Sequence, residues 1–376
     1  MNRKQFLWLM LAVVVLGSIG LGMFWRDLTA YKDSGAKIGA PLLTNIKVSD
    51  VAKLRIKDSQ NEVTLILKDQ VWRVEQRGGY PADFAEISGL ILKLLDVKVT
   101  QSEMVGVSLH PRLNLVAPGS DVKEGLGTLV ELSDPNGKPL VSMVLGKVAM
   151  KKDPMNPLPN AKDGVPAGRH ILVAGQGEKV VVVTDPLEKA IPRPGAWVAK
   201  DFFKADRIKT IQVAGAGDVA WAITRDEEWG QWKFASGGGR LHPNAGAAIN
   251  KAFEGLAFTD VIVDDKALSG KPLLLTVDTF DQLNYKIKLT PQDSGDYALQ
   301  YQVSGTPSKT RKPEPNEKAE DSAKRDKEYA EMLQRLEARV MLEQARSQWA
   351  YLVPSNSLST FLMPRSQMLI PANARP

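Results

Sequence analysis

The chain has 376 residues, of which 43% are hydrophobic, and this fraction supports a folded core and excludes a disordered chain. Its 49 basic and 43 acidic residues leave a net charge of +6, without the basic stripe and interleaved aromatics of a nucleic-acid-binding surface. Cysteine is absent, which excludes disulfides, thiol catalysis and cysteine-based metal sites.

The chain begins with a stretch typical of a membrane anchor. Arg3 and Lys4 precede an uncharged run over residues 6–25, and about 20 apolar residues suffice to cross a bilayer core. A cleaved signal peptide is the alternative, since residues 18–20 resemble its cleavage site. The run stays apolar beyond them, which favours an uncleaved anchor with a cytoplasmic N-terminus. The anchor residues that we single out are Phe6, Trp8, Leu16, Phe24 and Trp25.

Residues 46–100 carry a pattern that recurs from residue 203 onwards. Each copy reads as a strand, a hairpin that ends in a tryptophan, a helix opened by a proline, and another strand. The matched residues keep one order: Trp72, Pro81, Ile87, Ile91, Leu94 and Val99 correspond to Trp232, Pro243, Ile249, Phe253, Leu256 and Val261. The repeat predicts two similar domains rather than a solenoid, which needs more and shorter repeats.

The remaining elements of the first copy follow in order. The helix after Pro81 has one apolar stripe, which must be buried on a face of the sheet formed by the flanking strands. Further strands are predicted at 97–100, 128–132, 140–145, 171–174 and 180–184. Residues 147–168 are rich in proline, lysine and asparagine and are interpreted as a long exposed loop, and Asp185-Pro186 predicts the start of a short helix.

The second copy repeats this order and then departs from it. Asn244 is expected to cap its first helix, and strands are predicted at 273–277, 285–289 and 297–303. A charged helix over 318–348 is inserted before the next strand, where the first copy has only its proline-rich loop. The helix has an apolar stripe and is either an arm laid on its own domain or a surface that docks to a partner. The candidate partner-binding stripe consists of Tyr329, Met332, Leu333, Leu336 and Val340.

No residue pattern in the chain indicates catalysis or cofactor binding. His110, His170 and His242 each lack a partner at metal-ligand spacing, and the glycines at 237–239 lack the lysine and hydroxyl residue of a phosphate loop. We therefore assign no catalytic, cofactor-binding or metal-binding residue. The tryptophans Trp72, Trp221, Trp229, Trp232 and Trp349 are expected to pack between sheet and helix, with a ligand-stacking surface as the minor alternative.

The combined pattern resembles a known family. Its features here are Asp206 to Val213, Trp232, Pro243, the Leu145-Gly146 pair, and Val180 to Pro186. They resemble bacterial proteins that carry domain of unknown function 4340. The resemblance implies an envelope-anchored, extracytoplasmic protein that accompanies an ABC-type transport system, and it supplies no catalytic residues.

The sequence therefore predicts an α+β protein: a transmembrane helix followed by two similar domains, each an antiparallel sheet with a helix on one face. The predicted segments are an anchor at 1–26, a tether at 27–45, domains at 46–200 and 201–366, an insertion at 306–348 and a tail at 367–376. The expected localisation is the inner membrane, with one span and the bulk of the chain in the periplasm.

We expect a non-enzymatic accessory or scaffold protein with protein partners in an envelope or transport complex. One alternative is a ligand-binding module that uses a cleft between the repeats. Another is an exported hydrolase, which would need carboxylates or histidines to converge in space. Because the polar residues of the two copies differ, specific function is expected at the 147–168 loop, the inserted helix and the junction at 192–204.

Overall fold

The computed structural model of the chain describes residues 38–44, 46–151, 164–215, 219–311, 313 and 317–370. Its backbone divides into two compact units. The first comprises Met1–Arg73 and Phe84–Arg193, and the second comprises Val74–Asp83 and Pro194–Pro376. The division falls between residues 193 and 194, whereas the repeat pattern alone places it at 200. Residues 74–83 belong to the second unit although they lie within the first repeat.

The strands of the first unit form one sheet in which neighbouring strands are antiparallel. They are β1 (Lys53–Lys57), β2 (Glu62–Lys68), β3 (Val71–Val74), β5 (Val99–Met104), β6 (Thr128–Ser133), β7 (Pro139–Lys151), β8 (Val165–Val173) and β9 (Lys179–Val183); the short β4 (Tyr80–Pro81) lies in the segment of the second unit. Their order across the sheet is β3-β2-β1-β6-β7-β8-β9-β5.

Local sequence explains the hairpin and the helix of the first unit. Asp69 and Gln70 join β2 to β3 with positive φ angles of 51° and 62°, the conformation of a tight hairpin turn. Helix α1 (Phe84–Asp96) follows Pro81 as predicted. Within its predicted apolar stripe, Ile87, Leu90, Ile91 and Leu94 are buried as expected, whereas Phe84 at the start of the stripe is exposed. Each buried side chain of the stripe contributes about 1.5–3 kcal/mol when it is withdrawn from water.

The second unit has a sheet of the same kind. Its strands are β10 (Ile208–Ala214), β11 (Trp221–Thr224), β12 (Lys233–Phe234), β13 (Asp260–Ile262), β14 (Leu273–Thr279), β15 (Leu283–Pro291), β16 (Tyr297–Gly305) and β17 (Ala350–Val353). Their order is β12-β11-β10-β14-β15-β16-β17-β13, which repeats the order of the eight first-unit strands given above; β4 has no counterpart among the described strands of the second unit. The helices are α2 (Pro243–Ala252), α3 (Ala319–Arg346) and α4 (Arg365–Met368).

Short 3₁₀ turns occur at Val48–Asp50, Glu75–Arg77, Val107–Leu113, Pro194–Ala196, Asp265–Leu268 and Ser355–Leu358. The described residues thus confirm an α+β protein with two large antiparallel sheets and few helices.

Three local predictions were wrong. The strands β7 and β8 extend into the predicted 147–168 loop, because Val148 pairs with Arg169 and Lys151 with Val165; residues 152–163 lie outside the described part. The short helix predicted after Asp185 does not form, since Leu187 adopts a left-handed φ of 51° that a helix excludes. Helix α2 is capped by His242, whose Nδ1 accepts a hydrogen bond from the Asn244 amide, rather than by Asn244.

The inserted helix was predicted correctly, but its place in the repeat was not. Helix α3 lies between β16 and β17, so its counterpart in the first unit is the short turn between β8 and β9, not the proline-rich loop. An insertion at a hairpin turn leaves every strand pairing intact, which explains why the sheet order survives it.

Candidate functional site

One groove occurs in both units at the same place in the fold, and we call its two forms groove 1 and groove 2. Groove 1 lies in the first unit between the start of β1, the β2–β3 hairpin and helix α1. It has a volume of about 400 Å³ and is lined by Val48, Ser49, Val51, Leu67, Gln70, Trp72, Phe84, Ile87, Ser88 and Ile91.

The lining of groove 1 is uncharged. Val51, Trp72, Ile87 and Ile91 are buried and form its floor. On the rim, Phe84 is 65% exposed, and Val48 and Leu67 are exposed as well. Groove 1 is therefore an apolar depression whose edge presents large apolar side chains to solvent.

Groove 2 has a volume of about 230 Å³ and is lined by Ala205, Asp206, Arg207, Ile208, Arg225, Glu228, Trp229, Phe253 and Glu254. Backbone hydrogen bonds show that it is the counterpart of groove 1. The Leu67 amide donates to the Ala52 carbonyl at 2.8 Å, and the Arg225 amide donates in the same way to the Lys209 carbonyl at 3.0 Å. Arg225 thus stands where groove 1 has Leu67.

The remaining equivalences follow the repeat. Val48 and Val51 correspond to Ala205 and Ile208, because the strands that follow them, β1 and β10, hold the same position in their sheets. On the helices, Ile91 corresponds to Phe253, and the exposed Phe84 corresponds to Gly246. A Cβ atom at Gly246 would lie 3.0 Å from the Trp232 ring, so the glycine lets that tryptophan contact helix α2.

Ion pairs surround groove 2. The Arg207 guanidinium donates from Nε and Nη2 to the two carboxylate oxygens of Glu228, at 2.9 and 2.8 Å, and from Nη1 to Asp281. These hydrogen bonds, above all those to Glu228, raise the pKa of Arg207. On the other side, Arg339 of helix α3 donates to Asp206 at 2.6 Å.

Arg225 is the buried charge of groove 2, with only 7% of its surface exposed. Its Nε donates to the Ile208 carbonyl at 2.7 Å, and its guanidinium lies 4.7 Å from the centre of the Trp232 ring. Burial lowers the pKa of Arg225, while the ring face and the carbonyl stabilise the cation. The same position in groove 1, beside Trp72, holds an uncharged leucine.

Trp229 departs from the expected packing of the tryptophans. Trp72 and Trp221 are buried as predicted, but Trp229 is 92% exposed at the edge of groove 2. It occupies the loop between β11 and β12, where the acidic run at 226–228 keeps the chain at the surface. An exposed indole beside paired charges is the composition of a protein-binding hot spot.

A third cavity, of about 560 Å³, lies in the second unit beside Trp232. Lys233, Arg240 and His242 are its basic lining residues. The Lys233 ammonium is paired with Asp226 at 2.6 Å, and His242 uses Nδ1 for the cap of helix α2. Two of the three basic side chains of this cavity, Lys233 and His242, are thus already engaged in contacts within the second unit.

The predicted partner-binding stripe lies on helix α3, but the structure largely covers it. Leu336 and Val340 are buried in the second unit, whereas Tyr329, Met332 and Leu333 are half-buried. The Tyr329 hydroxyl donates to the Ser308 carbonyl at 2.7 Å, in the segment that leads to the helix. The C-terminal half of the stripe therefore has no surface left for a partner, because it packs on its own sheet.

Two polar residues continue the buried side of the helix. Glu343 is 3% exposed; its carboxylate accepts hydrogen bonds from the Lys204 amide at 3.0 Å and the Tyr285 hydroxyl at 2.9 Å. Burial raises the pKa of the Glu343 carboxyl. Arg346 donates to the carbonyl and carboxylate of Asp201, at 3.1 and 3.2 Å.

The histidines make local contacts to the backbone. His110 Nε2 lies 3.0 Å from the Val105 carbonyl, and His170 Nδ1 lies 3.0 Å from the Lys147 carbonyl. In the part of the chain that the structure describes, no group of three or more histidine or carboxylate side chains is placed to hold a metal ion.

The anchor residues Phe6, Trp8, Leu16, Phe24 and Trp25 lie outside the described residues. Within residues 38–370, leaving out the undescribed gaps, no helix is long and apolar enough to cross a membrane. Comparison of the chain with protein families, with characterised proteins and with solved structures finds no match.

Sequence reasoning placed candidate function in the segments where the copies differ most, and it missed the grooves. The signal was present at one position, since Phe84 aligns with Gly246. At the other position the sequence spacing aligns Arg225 with Lys68, and only the backbone hydrogen bonds show that it stands in the place of Leu67. An exchange of a large apolar residue for a charge or for glycine, within a repeat that otherwise keeps its apolar spacing, marks a surface whose role has changed.

Proposed function

We propose that this protein is a non-enzymatic scaffold, anchored by one N-terminal span in the inner membrane, that presents two dissimilar binding grooves on the extracytoplasmic side of the envelope. The observation that carries the proposal is the pair of grooves. Several equivalent positions, among them Val48/Ala205, Leu67/Arg225 and Ile91/Phe253, line an apolar groove in one unit and a charged groove in the other. A duplicated fold that keeps its core and changes one surface is suited to holding two different partners.

Several features support the parts of this proposal. The shared strand order and the matched apolar residues support an internal duplication. The uncharged run at 6–25, with basic residues before it, supports the anchor and its orientation. The resemblance to proteins with domain of unknown function 4340 supports a place in an envelope or ABC-type transport complex.

The ion pairs of groove 2 support recognition of a partner. General acid–base chemistry needs a carboxylate that is available to a substrate. Glu228 is instead held by Nε and Nη2 of Arg207, and Asp206 is held by Nη1 of Arg339. Ion pairs of this kind fix the shape of a surface and the register of a partner.

Trp229 gives the proposal a sharp test. The full chain would be purified from its own membranes in a mild detergent, and co-purifying proteins would be identified and quantified. Truncation of an exposed hot-spot tryptophan costs about 2 kcal/mol or more of binding free energy. We therefore expect Trp229→Ala to reduce a specific partner by about tenfold or more.

The matched control for this test is Met341→Ala, which removes a 71% exposed apolar side chain outside groove 2. It should leave the yield of the partner unchanged. A chain that is monomeric in gentle detergent, or one whose partners are the same with Trp229→Ala, would contradict the proposal.

A further inference from the structure

We propose that groove 1 binds membrane lipid and holds the first unit against the bilayer surface. This inference rests on the proposed function, because it requires the N-terminal anchor. It assigns to groove 1 a ligand of one chemical class, a phospholipid of the membrane in which the chain is anchored.

The first step of the argument is the rim. Phe84, Val48 and Leu67 expose large apolar surfaces around the groove, and Val71 of the adjoining hairpin is exposed too. Exposed apolar side chains that gather around a depression mark a surface that binds another protein, a ligand or a membrane.

The second step is that the fold does not need these side chains. The second unit forms the same sheet and the same helix with Gly246, Ala205 and Arg225 in place of Phe84, Val48 and Leu67. Groove 2 therefore shows that the same fold forms without this apolar rim. The apolar rim is a property of the first unit and not a requirement for closing the fold.

The third step is the shape and polarity of the groove. Trp72, Ile87 and Ile91 form a buried apolar floor, which suits hydrocarbon. Ser49, Gln70 and Ser88 add hydroxyl and amide groups to the lining. The apolar floor is suited to an acyl chain, and the polar lining groups are suited to the ester and headgroup atoms of the same lipid.

The fourth step is the distance from the bilayer. The Gly39 amide donates to the Val99 carbonyl and the Leu42 amide to the Val97 carbonyl, so the chain is attached to the first unit from these residues onwards. Ile38 follows Arg26 by 12 residues. Twelve residues span at most about 40 Å when fully extended. The anchor thus keeps the first unit, which contains groove 1, within reach of lipid at a high effective concentration.

The test is a photochemical cross-link from the rim. Phe84 is replaced by p-benzoylphenylalanine in the full chain, the cells' own membranes are irradiated, and the purified protein is weighed by intact mass spectrometry. The position is exposed, so the larger aromatic ring is compatible with the fold. Leu92, an exposed residue of the same helix that does not line the groove, carries the same probe as a matched control.

The expected result is a mass increase of one phospholipid at position 84, with a yield about fivefold or more above that at position 92. Equal yields at the two positions would overturn the inference, because they would report only closeness to the bilayer. A cross-link from position 84 to another protein, or to a segment of this chain, would also overturn it and would identify the true occupant.

A carbonate wash of the same membranes separates the two proposals. Release of the chain by carbonate would show that it is not anchored, and the proposed function would fail with the inference. Retention of the chain without a lipid adduct at position 84 would refute the lipid inference alone.

Discussion

The residue beside each tryptophan decides the chemistry of each groove. In groove 2, the Arg225 guanidinium lies against the Trp232 ring and the Ile208 carbonyl, so a buried cation is stabilised by a ring face and a hydrogen bond. In groove 1, the equivalent Leu67 leaves the depression beside Trp72 apolar. A single exchange at one hairpin position therefore changes which ligands a groove can accept.

Glu343 shows at the same scale how burial shapes the stability of the second unit. Its pKa is raised because the carboxylate is withdrawn from water, although it accepts two hydrogen bonds and lies 3.6 Å from Arg339. Above pH 4.5, the unfolded carboxyl loses its proton while the folded one keeps it. The unfolding free energy should therefore fall as pH rises from there to the raised pKa, and should then level off.

We expect Glu343→Gln to remove that fall, because the amide oxygen can still accept from the Lys204 amide and the amide group carries no charge. Relative to the unsubstituted chain, the variant should therefore gain stability as pH rises above 4.5. Urea unfolding of the full chain in mild detergent, followed by fluorescence across this pH range, measures the difference. Glu337→Gln, on the exposed side of the same helix, is the control. A parallel pH dependence in Glu343→Gln and the unsubstituted chain would refute the assignment.

Among the elements, helix α3 carries the clearest departure from a pure repeat. It lies in the second unit at the position where the first unit has the short turn between β8 and β9. It is nevertheless packed on its own unit and is not a detached arm. Leu336, Val340 and Glu343 are buried on one side, whereas Met341 and Leu342 are exposed on the other. The Tyr301 hydroxyl donates to the Glu343 carbonyl at 2.9 Å, which joins the helix to strand β16.

This packing predicts a strong effect from truncation of the buried stripe. Leu336→Ala with Val340→Ala should lower the unfolding free energy of the second unit by about 3–5 kcal/mol, since each leaves a cavity. Met341→Ala with Leu342→Ala should change it by less than about 0.5 kcal/mol. Thermal unfolding followed by tryptophan fluorescence provides the comparison. Equal melting of the two double variants would mean that α3 is an arm with no part in the core.

At the scale of the whole molecule, the repeat was the most informative feature of the sequence. Apolar spacing predicted the strands, the helix after Pro81 and the inserted helix, because burial on one face imposes a period on the residues. The turns were predicted less well. The left-handed Leu187 and the His242 cap depend on contacts that no periodicity records.

The grooves were not predicted because they are formed by three segments that are distant in sequence. Val48, Leu67 and Phe84 become neighbours only when the hairpin and the helix have packed. Sequence alone ranks such residues as core, since their spacing matches that of their buried neighbours. Only the structure shows that Phe84 is exposed and Ile87, on the same helix, is buried.

The duplication also supplies a substitution that transfers the character of one groove to the other. Leu67→Arg places in groove 1 the residue that the second unit uses at the same position. Because Leu67 is exposed and Trp72 can receive the guanidinium as Trp232 receives that of Arg225, the first unit should remain folded.

A guanidinium in the groove opposes entry of hydrocarbon by about 2.5 kcal/mol or more where it is fully immersed. The long side chain can reach toward the headgroups, and this lowers the penalty. We therefore expect the lipid adduct at position 84 to fall by about tenfold. Leu92→Arg adds the same charge outside groove 1 and should leave the adduct unchanged, so an undiminished adduct with Leu67→Arg would show that lipid contacts position 84 without entering the groove.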